Sequence, residues 1–330
     1  MSVAASVQAQ VDPVLSVQGV SLFIRSGRNR IRIVDNVSFD IGAGEIFALV
    51  GESGSGKTMI ARAIMRLLPA RMLEIEGRLM FEGRDLANKS AREMRGLRGG
   101  PIAMIFQEPM TSLNPLMTVG RQIEETLQVH SGMNREERRV RILQLLTDVQ
   151  FKKPEQVARM YPHELSGGMR QRAMISLALA NDPRLLIADE PTTALDVTIQ
   201  EEVMEILLRL RDKYRLSVLF ISHDLSLVHR YAERVGVLYG GVLMEEGSRE
   251  EVIGGASHPY TRALISCAPR RRSGEARQTG IEGNVPHPNN WFEGCRFAPR
   301  CPFRGEGCDI SPIAVKHYGP GHAVRCVRPL

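Results

Sequence analysis

Gly51-Glu52-Ser53-Gly54-Ser55-Gly56-Lys57-Thr58 (GESGSGKT) is a complete G-x-x-x-x-G-K-[ST] run, and the rest of the chain is read outward from it. Its glycines let the backbone curl until successive N–H groups point inward, which makes a cradle for phosphate oxygens. In such a loop Lys57 reaches the β and γ phosphates of a nucleoside triphosphate, and the Thr58 hydroxyl coordinates Mg²⁺. The flanks agree. Glu45 to Val50 (EIFALV) is an apolar run of strand length, and Met59 to Leu68 (MIARAIMRLL) is a helical run whose N-terminus faces the phosphates. A chance glycine-rich turn has neither flank, so the stretch is read as a nucleotide site in an α/β chain.

Upstream, Val14 to Ile41 alternates apolar and polar residues (LSVQGVSLFI, then RIRIVDNVSFDI) around the turn-like Ser26-Gly27-Arg28-Asn29. This predicts antiparallel strands leading into the phosphate-loop strand. Downstream, Ile102 to Phe106 (IAMIF), Leu185 to Ala188 (LLIA), Val218 to Ile221 (VLFI) and Val235 to Tyr239 (VGVLY) read as buried strands. Strands alternating with helices imply a largely parallel sheet. Between about 118 and 162 the period becomes helical. Val119, Ile123 and Leu127 fall on one face, and Ile142, Leu145, Leu146 and Val149 on a second, so a helical insertion is expected. Around Pro269 to Gly283 the composition turns basic, polar and glycine-rich, which marks a linker.

LLIADE, residues 185 to 190, ends a buried strand in two carboxylates, at the tip where an α/β sheet places ligand chemistry. Asp189 is expected to hold Mg²⁺, directly or through water. Glu190 is placed to orient and activate the water that attacks the γ-phosphate.

Length and composition bound the class. At 330 residues the chain forms one large domain or two smaller ones. No apolar stretch approaches the eighteen or so residues of a membrane-spanning helix. The start, MSVAASVQAQVDP, lacks the basic and apolar regions of a secretory signal, so a cytosolic chain is expected. The net charge of +6 suits anionic lipid, nucleic acid, an acidic partner or an ordinary solvated surface. Only 5% of residues are aromatic, and none interleave with Lys or Arg as in a single-strand nucleic-acid groove. Five cysteines in a reducing compartment argue against a disulfide framework.

Leu165 to Arg172 (LSGGMRQR) resembles the signature of ATP-binding-cassette (ABC) ATPases, and Ser166 stands 23 residues before Asp189, as in that family. Gln107 in FQEPM is similar to the family's Q-loop residue, Ala194-Leu195-Asp196 to its D-loop, and His223 in ISHD to its switch histidine. With the phosphate loop and the Asp-Glu pair these motifs cover about residues 14 to 250. The resemblance implies a P-loop ABC ATPase core over 14–255, with a parallel sheet, N-terminal antiparallel strands and a helical subdomain at about 110–180. It also implies that Thr58, Gln107 and Asp189 serve Mg²⁺, that Gln107 contacts the attacking water, and that His223 holds the γ-phosphate in line with Glu190. ATP is then cradled by Gly51 to Thr58, while Ser166, Gly167, Gly168, Gln171 and Asp196 serve nucleotide at a dimer interface. The residues support part of this directly: Ser166 and the N–H groups of Gly167 and Gly168 open a helix running through Met174 and Leu179, an anion-binding start. The family often stacks adenine on an aromatic near position 24; Ile24 stands there, with Phe23 beside it as either the stacking ring or a core residue.

His258-Pro259-Tyr260-Thr261-Arg262-Ala263-Leu264-Ile265 and GCRFAPRCPF at 294 to 303 look like the C-terminal extension, here 256–330, of ATPase subunits of dipeptide/oligopeptide importers. That subfamily also serves nickel, glutathione and some sugars. The resemblance implies a second ABC ATPase in a heterodimer, two transmembrane permeases, an extracytoplasmic solute-binding protein, and a peripheral place on the cytoplasmic face of the inner membrane. The alternative is an ABC ATPase acting on nucleic acid. Such proteins usually carry long coiled-coil or zinc insertions, whereas 58 residues separate Gln107 from Ser166 without sustained heptads. No nucleic-acid partner is therefore expected.

Cys295, Cys301, Cys308 and Cys326 are spaced C-x5-C-x6-C-x17-C, with Cys267 apart. They are either small buried hydrophobes or a metal centre. Zinc suits four thiolates but usually takes close C-x2–4-C pairs, which are absent. Cys301-Pro302 resembles a ferredoxin Cys-Pro. Some importer ATPases that this tail resembles hold a [4Fe–4S] cluster, so the resemblance favours that centre over zinc.

Overall fold

The computed structural model describes residues 12–27, 29–69, 72–107, 112–192, 196–267, 280–319 and 321–330. The N-terminal alternation becomes two long antiparallel strands, β1 (Leu15–Ser26) and β2 (Asn29–Ile41). In β2 the buried Val37, Phe39 and Ile41 alternate with exposed Ser38 and Asp40, the pattern of a sheet with one face on a core. Arg28, in the expected turn, lies outside the described residues. After β3 (Ile46–Val50), β4 (Leu73–Phe81) pairs with the other edge of β1, and β5 (Arg84–Asp85) closes a four-stranded sheet in the order β2-β1-β4-β5.

The second sheet comprises β3, β6 (Ile102–Ile105), β7 (Leu185–Asp189), β8 (Ser217–Ser222), β9 (Arg234–Tyr239), β10 (Val242–Ser248), β11 (Lys316–His317) and β12 (Ala323–Val324). Its order is β11-β12-β10-β9-β3-β8-β7-β6. The five strands from β9 to β6 run parallel, and β10, β12 and β11 add an antiparallel flank. All five residues of β3 are buried, which explains why this strand reads as a continuous apolar run. Its side chains alternate between two cores. Ile46, Ala48 and Val50 face one core, Phe47 and Leu49 the other.

Nine helices lie among the described residues. They are α1 (Lys57–Ile64), α2 (Ala91–Leu97), α3 (Val119–His130), α4 (Arg135–Asp148), α5 (Pro154–Arg159), α6 (Gly167–Ala178), α7 (Val197–Tyr214), α8 (Leu225–Tyr231) and α9 (Pro259–Ser266). The expected helical insertion is α3 to α5. Thr118 caps α3, an Asn134–Glu137 capping box starts α4, and Pro154 occupies the first turn of α5. Its apolar stripes, Ile123 and Leu127 with Leu145 and Leu146, join the same core as Met174 of α6 and Val203 and Leu207 of α7. No helix among the described residues is long and apolar enough to cross a membrane.

The C-terminal extension is continuous with this core. β12 pairs with β10 at Glu245↔Val324 and Glu246↔Ala323, so the extension completes the sheet edge. Most of the basic, polar linker, residues 268–279, lies outside the described residues.

Candidate functional site

Four adjacent parallel strands, β3, β8, β7 and β6, end on the same edge of the sheet. The chain leaving them supplies the phosphate loop, His223, the Asp189-Glu190 pair and Gln107, in that spatial order. Residues up to 172 positions apart are thereby gathered at strand C-termini, where backbone N–H groups and helix starts favour anions.

The loop has the curl its glycines predicted. Gly51, Gly54 and Gly56 all take positive φ, at 149°, 79° and 108°. At Gly51 a Cβ would stand 2.0 Å from the Leu238 carbonyl oxygen, so no other residue fits. Gly56 precedes α1, whose first residue is Lys57. The buried Lys57 ammonium donates to the Gly51 and Glu52 carbonyls at 2.8 and 3.0 Å and to Ser55 Oγ at 3.3 Å. Burial pushes its pKa down, opposed by the carboxylates of Glu190, Asp189 and Glu52. Thr58 Oγ1 donates to Asp189 Oδ1 at 3.1 Å, which sets the two expected Mg²⁺ ligands side by side. Asp189 is 3% exposed, and burial raises its pKa.

Glu190 forms the hub. Gln107 Nε2 donates to its Oε2 at 3.0 Å, and His223 Nδ1 lies 3.3 Å from the same oxygen. Its backbone stands in the left-handed region, φ 49°, where a side chain costs about 1 kcal/mol or more. The Glu190 N–H holds this bend by donating to the Ile221 carbonyl of β8 at 2.9 Å. Hydrogen bonding to Glu190 raises the His223 pKa, with burial opposing. A carboxylate flanked by an amide and an imidazole, beside a phosphate cradle, is equipped to align and deprotonate water.

The signature stands apart from this cluster. Ser166 caps α6, its Oγ accepting from Met169 N at 3.3 Å, and Ser166 and Gly167 are exposed. At Gly168 a Cβ would come within 2.8 Å of Ile199 Cγ2, so this glycine lets α6 approach α7 closely. Asp196 is exposed and caps α7 by accepting from Ile199 N at 3.0 Å. Ala194 and Leu195 lie outside the described residues.

Three residues named in the sequence reading have particular settings. Gln171 is 1% exposed, on the inward side of α6, and so does not share the surface of Ser166 and Gly167. Phe23 is 2% exposed with the Arg30 guanidinium 3.4 Å over its ring, which leaves no open face for a base. Glu52, read with the nucleotide cradle, has its polar groups taken up by the protein. Its N–H donates to Tyr260 Oη at 3.0 Å, and its carboxylate accepts both Arg300 Nη groups at 3.0 and 3.1 Å. Those two extension residues were missed as neighbours of the site. The HPYTRALI string was visible, but nothing local points across the 208 residues from Tyr260 to Glu52.

The extension is fastened at several points. The Arg296 guanidinium stacks 3.4 Å over Trp291 and donates to the Gly240 carbonyl and the Asp35 carboxylate. Burial lowers its pKa to about 10. Cys308 and Cys326 are buried and Cys295 and Cys301 half-buried, and the Cys295 N–H donates to the Cys308 carbonyl at 2.8 Å. Burial pushes the Cys295 thiol up to about 11, and the neighbouring Cys326, Cys301 and Cys308 add to this. Among the described residues, no group of three or more His, Cys, Asp or Glu side chains is arranged to hold a metal ion.

Comparisons with known proteins agree with this geometry. The family described as ABC transporter matches residues 34–193, and that described as oligopeptide/dipeptide transporter, C-terminal region, matches residues 244–308. A probable peptide ABC transporter ATP-binding protein of Sinorhizobium fredii is 44% identical over 97% of this chain and 96% of its own length. Dipeptide transport ATP-binding proteins of Bacillus subtilis and Haemophilus influenzae are 42% and 43% identical, each over 96% of this chain and over 95% and 96% of their own lengths. Among solved structures, a dimeric bacterial ABC transporter cassette superposes with a TM-score of 0.63 at 30% identity, covering 71% of this chain and 98% of that one. The chain belongs to the ABC transporter family, as one of its ATP-hydrolysing subunits, and carries the C-terminal region of the oligopeptide/dipeptide branch.

Proposed function

We propose that this chain hydrolyses ATP to power the import of di- and oligopeptides through two partner permeases, seated peripherally on the cytoplasmic face of the inner membrane. It works there as a heterodimer with a second ABC ATPase, and an extracytoplasmic binding protein delivers the solute. The observation that carries the reading is the convergence of Gln107 and His223 on one Glu190 oxygen beside the phosphate loop. ATP chemistry needs charge neutralisation, an aligned water and a proton acceptor. Lys57 and the loop N–H groups bind the phosphates, Thr58 and Asp189 hold Mg²⁺, Glu190 accepts the proton from water, and His223 and Gln107 orient Glu190 and the γ-phosphate. Mg²⁺, when bound there, would supply the charge neutralisation that phosphoryl transfer needs. Ser166 and Gly167, exposed at the start of α6, offer N–H groups to the phosphates of the nucleotide on the opposing ATPase, and Asp196, exposed at the start of α7, serves the same interface. Names borne by relatives, peptide and dipeptide transport, support the solute class.

The four extension cysteines supply an all-sulfur donor set and lie close enough to influence one another. As arranged they form no ligand cage. A [4Fe–4S] cluster, or zinc as the other thiolate-loving occupant, would need all four as deprotonated ligands drawn together around it. Anaerobically purified protein should contain iron and labile sulfide; stoichiometric zinc would move the site to zinc, and no metal would leave four structural thiols.

Glu190→Gln tests the catalytic assignment. In the assembled transporter its phosphate release should fall by about a hundredfold or more while ATP affinity holds. Turnover within a few-fold of wild type would overturn the role given to Glu190.

A further inference from the structure

The His258-Pro259-Tyr260 string is accounted for by no catalytic part, yet it is built with care. His258 Nδ1 accepts from the Tyr260 N–H and caps α9, and Pro259 occupies the first helical position. Tyr260 is fully buried against Tyr239 and Phe297, at ring-centroid distances of 4.6 and 5.2 Å. Its hydroxyl meets the Glu52 N–H in the phosphate loop. Arg300 arrives at the same residue from the cysteine-rich segment. Its fork grips both Glu52 oxygens, and it also donates to Tyr239 Oη and to the carbonyls of Ile281, Glu282 and Gly283. The Arg300 side chain is 8% exposed.

A carboxylate inside a triphosphate cradle is an electrostatic liability, since it repels the ligand the loop is built to take. A buried bidentate guanidinium cancels that charge and fixes the carboxylate's direction. The Glu52 carbonyl meanwhile accepts from Lys57, so the same residue is tied to the phosphate-binding lysine. We propose that Arg300 and Tyr260 are positioning residues of the nucleotide site, through which docking of the C-terminal extension sets the charge and shape of the phosphate loop and hence its nucleotide affinity. This rests on reading residues 51–58 as the ATP site. It makes nucleotide binding and docking of the extension linked equilibria, so each strengthens the other.

The test is calorimetric titration of MgADP and of slowly hydrolysed MgATPγS onto the full chain, for Arg300→Gln, Tyr260→Phe, Glu52→Gln, the Arg300→Gln/Glu52→Gln double variant and Lys57→Ala. Nucleotide-free melting and the emission of Trp291, the chain's single tryptophan in the extension, are measured beside it. Arg300→Gln should weaken binding about tenfold and Tyr260→Phe about threefold, and any melting loss in Arg300→Gln should persist in the double variant while its affinity recovers. Because the harm in Arg300→Gln comes from an uncovered carboxylate, adding Glu52→Gln should recover most of the lost affinity. Affinities within twofold of wild type for both single variants would overturn the proposal. So would a defect in Arg300→Gln that Glu52→Gln fails to relieve and that tracks lost melting temperature or altered Trp291 emission, since that is plain destabilisation. Lys57→Ala separates the two readings. Normal binding there removes the ATP-site reading and this inference with it, whereas lost binding there with unaffected Arg300→Gln removes this inference alone.

Discussion

At the scale of single residues, Glu190 is the point at which the site is under strain. A glutamate at φ 49° survives because the strand neighbour fixes its N–H and two side chains fix its carboxylate. His223 carries the measurable consequence. Its pKa is raised above 6.5 by the hydrogen bond to Glu190, so the ion pair is complete below pH 6.5 and fades as pH rises through the shifted value. NMR titration of the ring resonances should give a midpoint above 6.5 in wild type, moving back toward 6.5 in Glu190→Gln; identical midpoints would break the pairing. Most of these residues were legible in the sequence, because phosphate loop, carboxylate pair and strand-end histidine are each short and local. The Glu52–Arg300 contact was not, since it joins residues 248 positions apart and neither has a distinctive local setting. Phe23, open in the sequence between stacking ring and core residue, takes the second role, because pairing of β1 with β2 puts it inside, under Arg30.

Among the elements, the buried parallel strands declared themselves as apolar runs, and the helices α3 and α4 by their periodic stripes. β10 did not, because its sequence, Val-Leu-Met-Glu-Glu-Gly-Ser, places two acids in a strand that is nearly all buried. Glu245 is tolerated at 1% exposure because it accepts from the Ser257 and His258 N–H groups at 2.8 and 3.0 Å and meets His322 Nε2 at 3.0 Å. All three partners come from segments following β10, so the polar satisfaction is invisible in the strand itself. Glu246 is held less well. Burial raises its carboxyl to about 7, with Arg234 opposing and Asp40 and Glu45 adding. The native state therefore keeps a proton between about pH 4.5 and 7 that the unfolded chain has lost, and stability declines as pH rises through that window. The full shift corresponds to about 3 kcal/mol. Denaturant unfolding at pH 5 and pH 8 should show this decline in wild type and a smaller one in Glu246→Gln. Parallel pH dependence in the two proteins would remove Glu246 as the source.

For the whole molecule, the chain order concealed how far the extension is built into the cassette. A composition change near residue 269 marked a linker, yet the residues beyond it return to cover the sheet edge through β12 and to hold the phosphate loop through Arg300. Sequence pattern reports local period and turn chemistry, and a return of this kind is neither. The same scale decides function. Each chain has one phosphate loop and one signature, and the Ser166 and Asp196 side chains hydrogen-bond within their own helix starts, so hydrolysis is expected to need a second ATPase and the permeases. The most direct measurement is simultaneous phosphate release and labelled-peptide uptake in vesicles holding the assembled transporter with its binding protein. Wild-type chain should give both, with release falling about tenfold or more when the permeases or the partner ATPase are left out. Glu190→Gln should lose both while still binding ATP. Peptide uptake that persists with Glu190→Gln, or full hydrolysis by this chain as a monomer, would contradict the account.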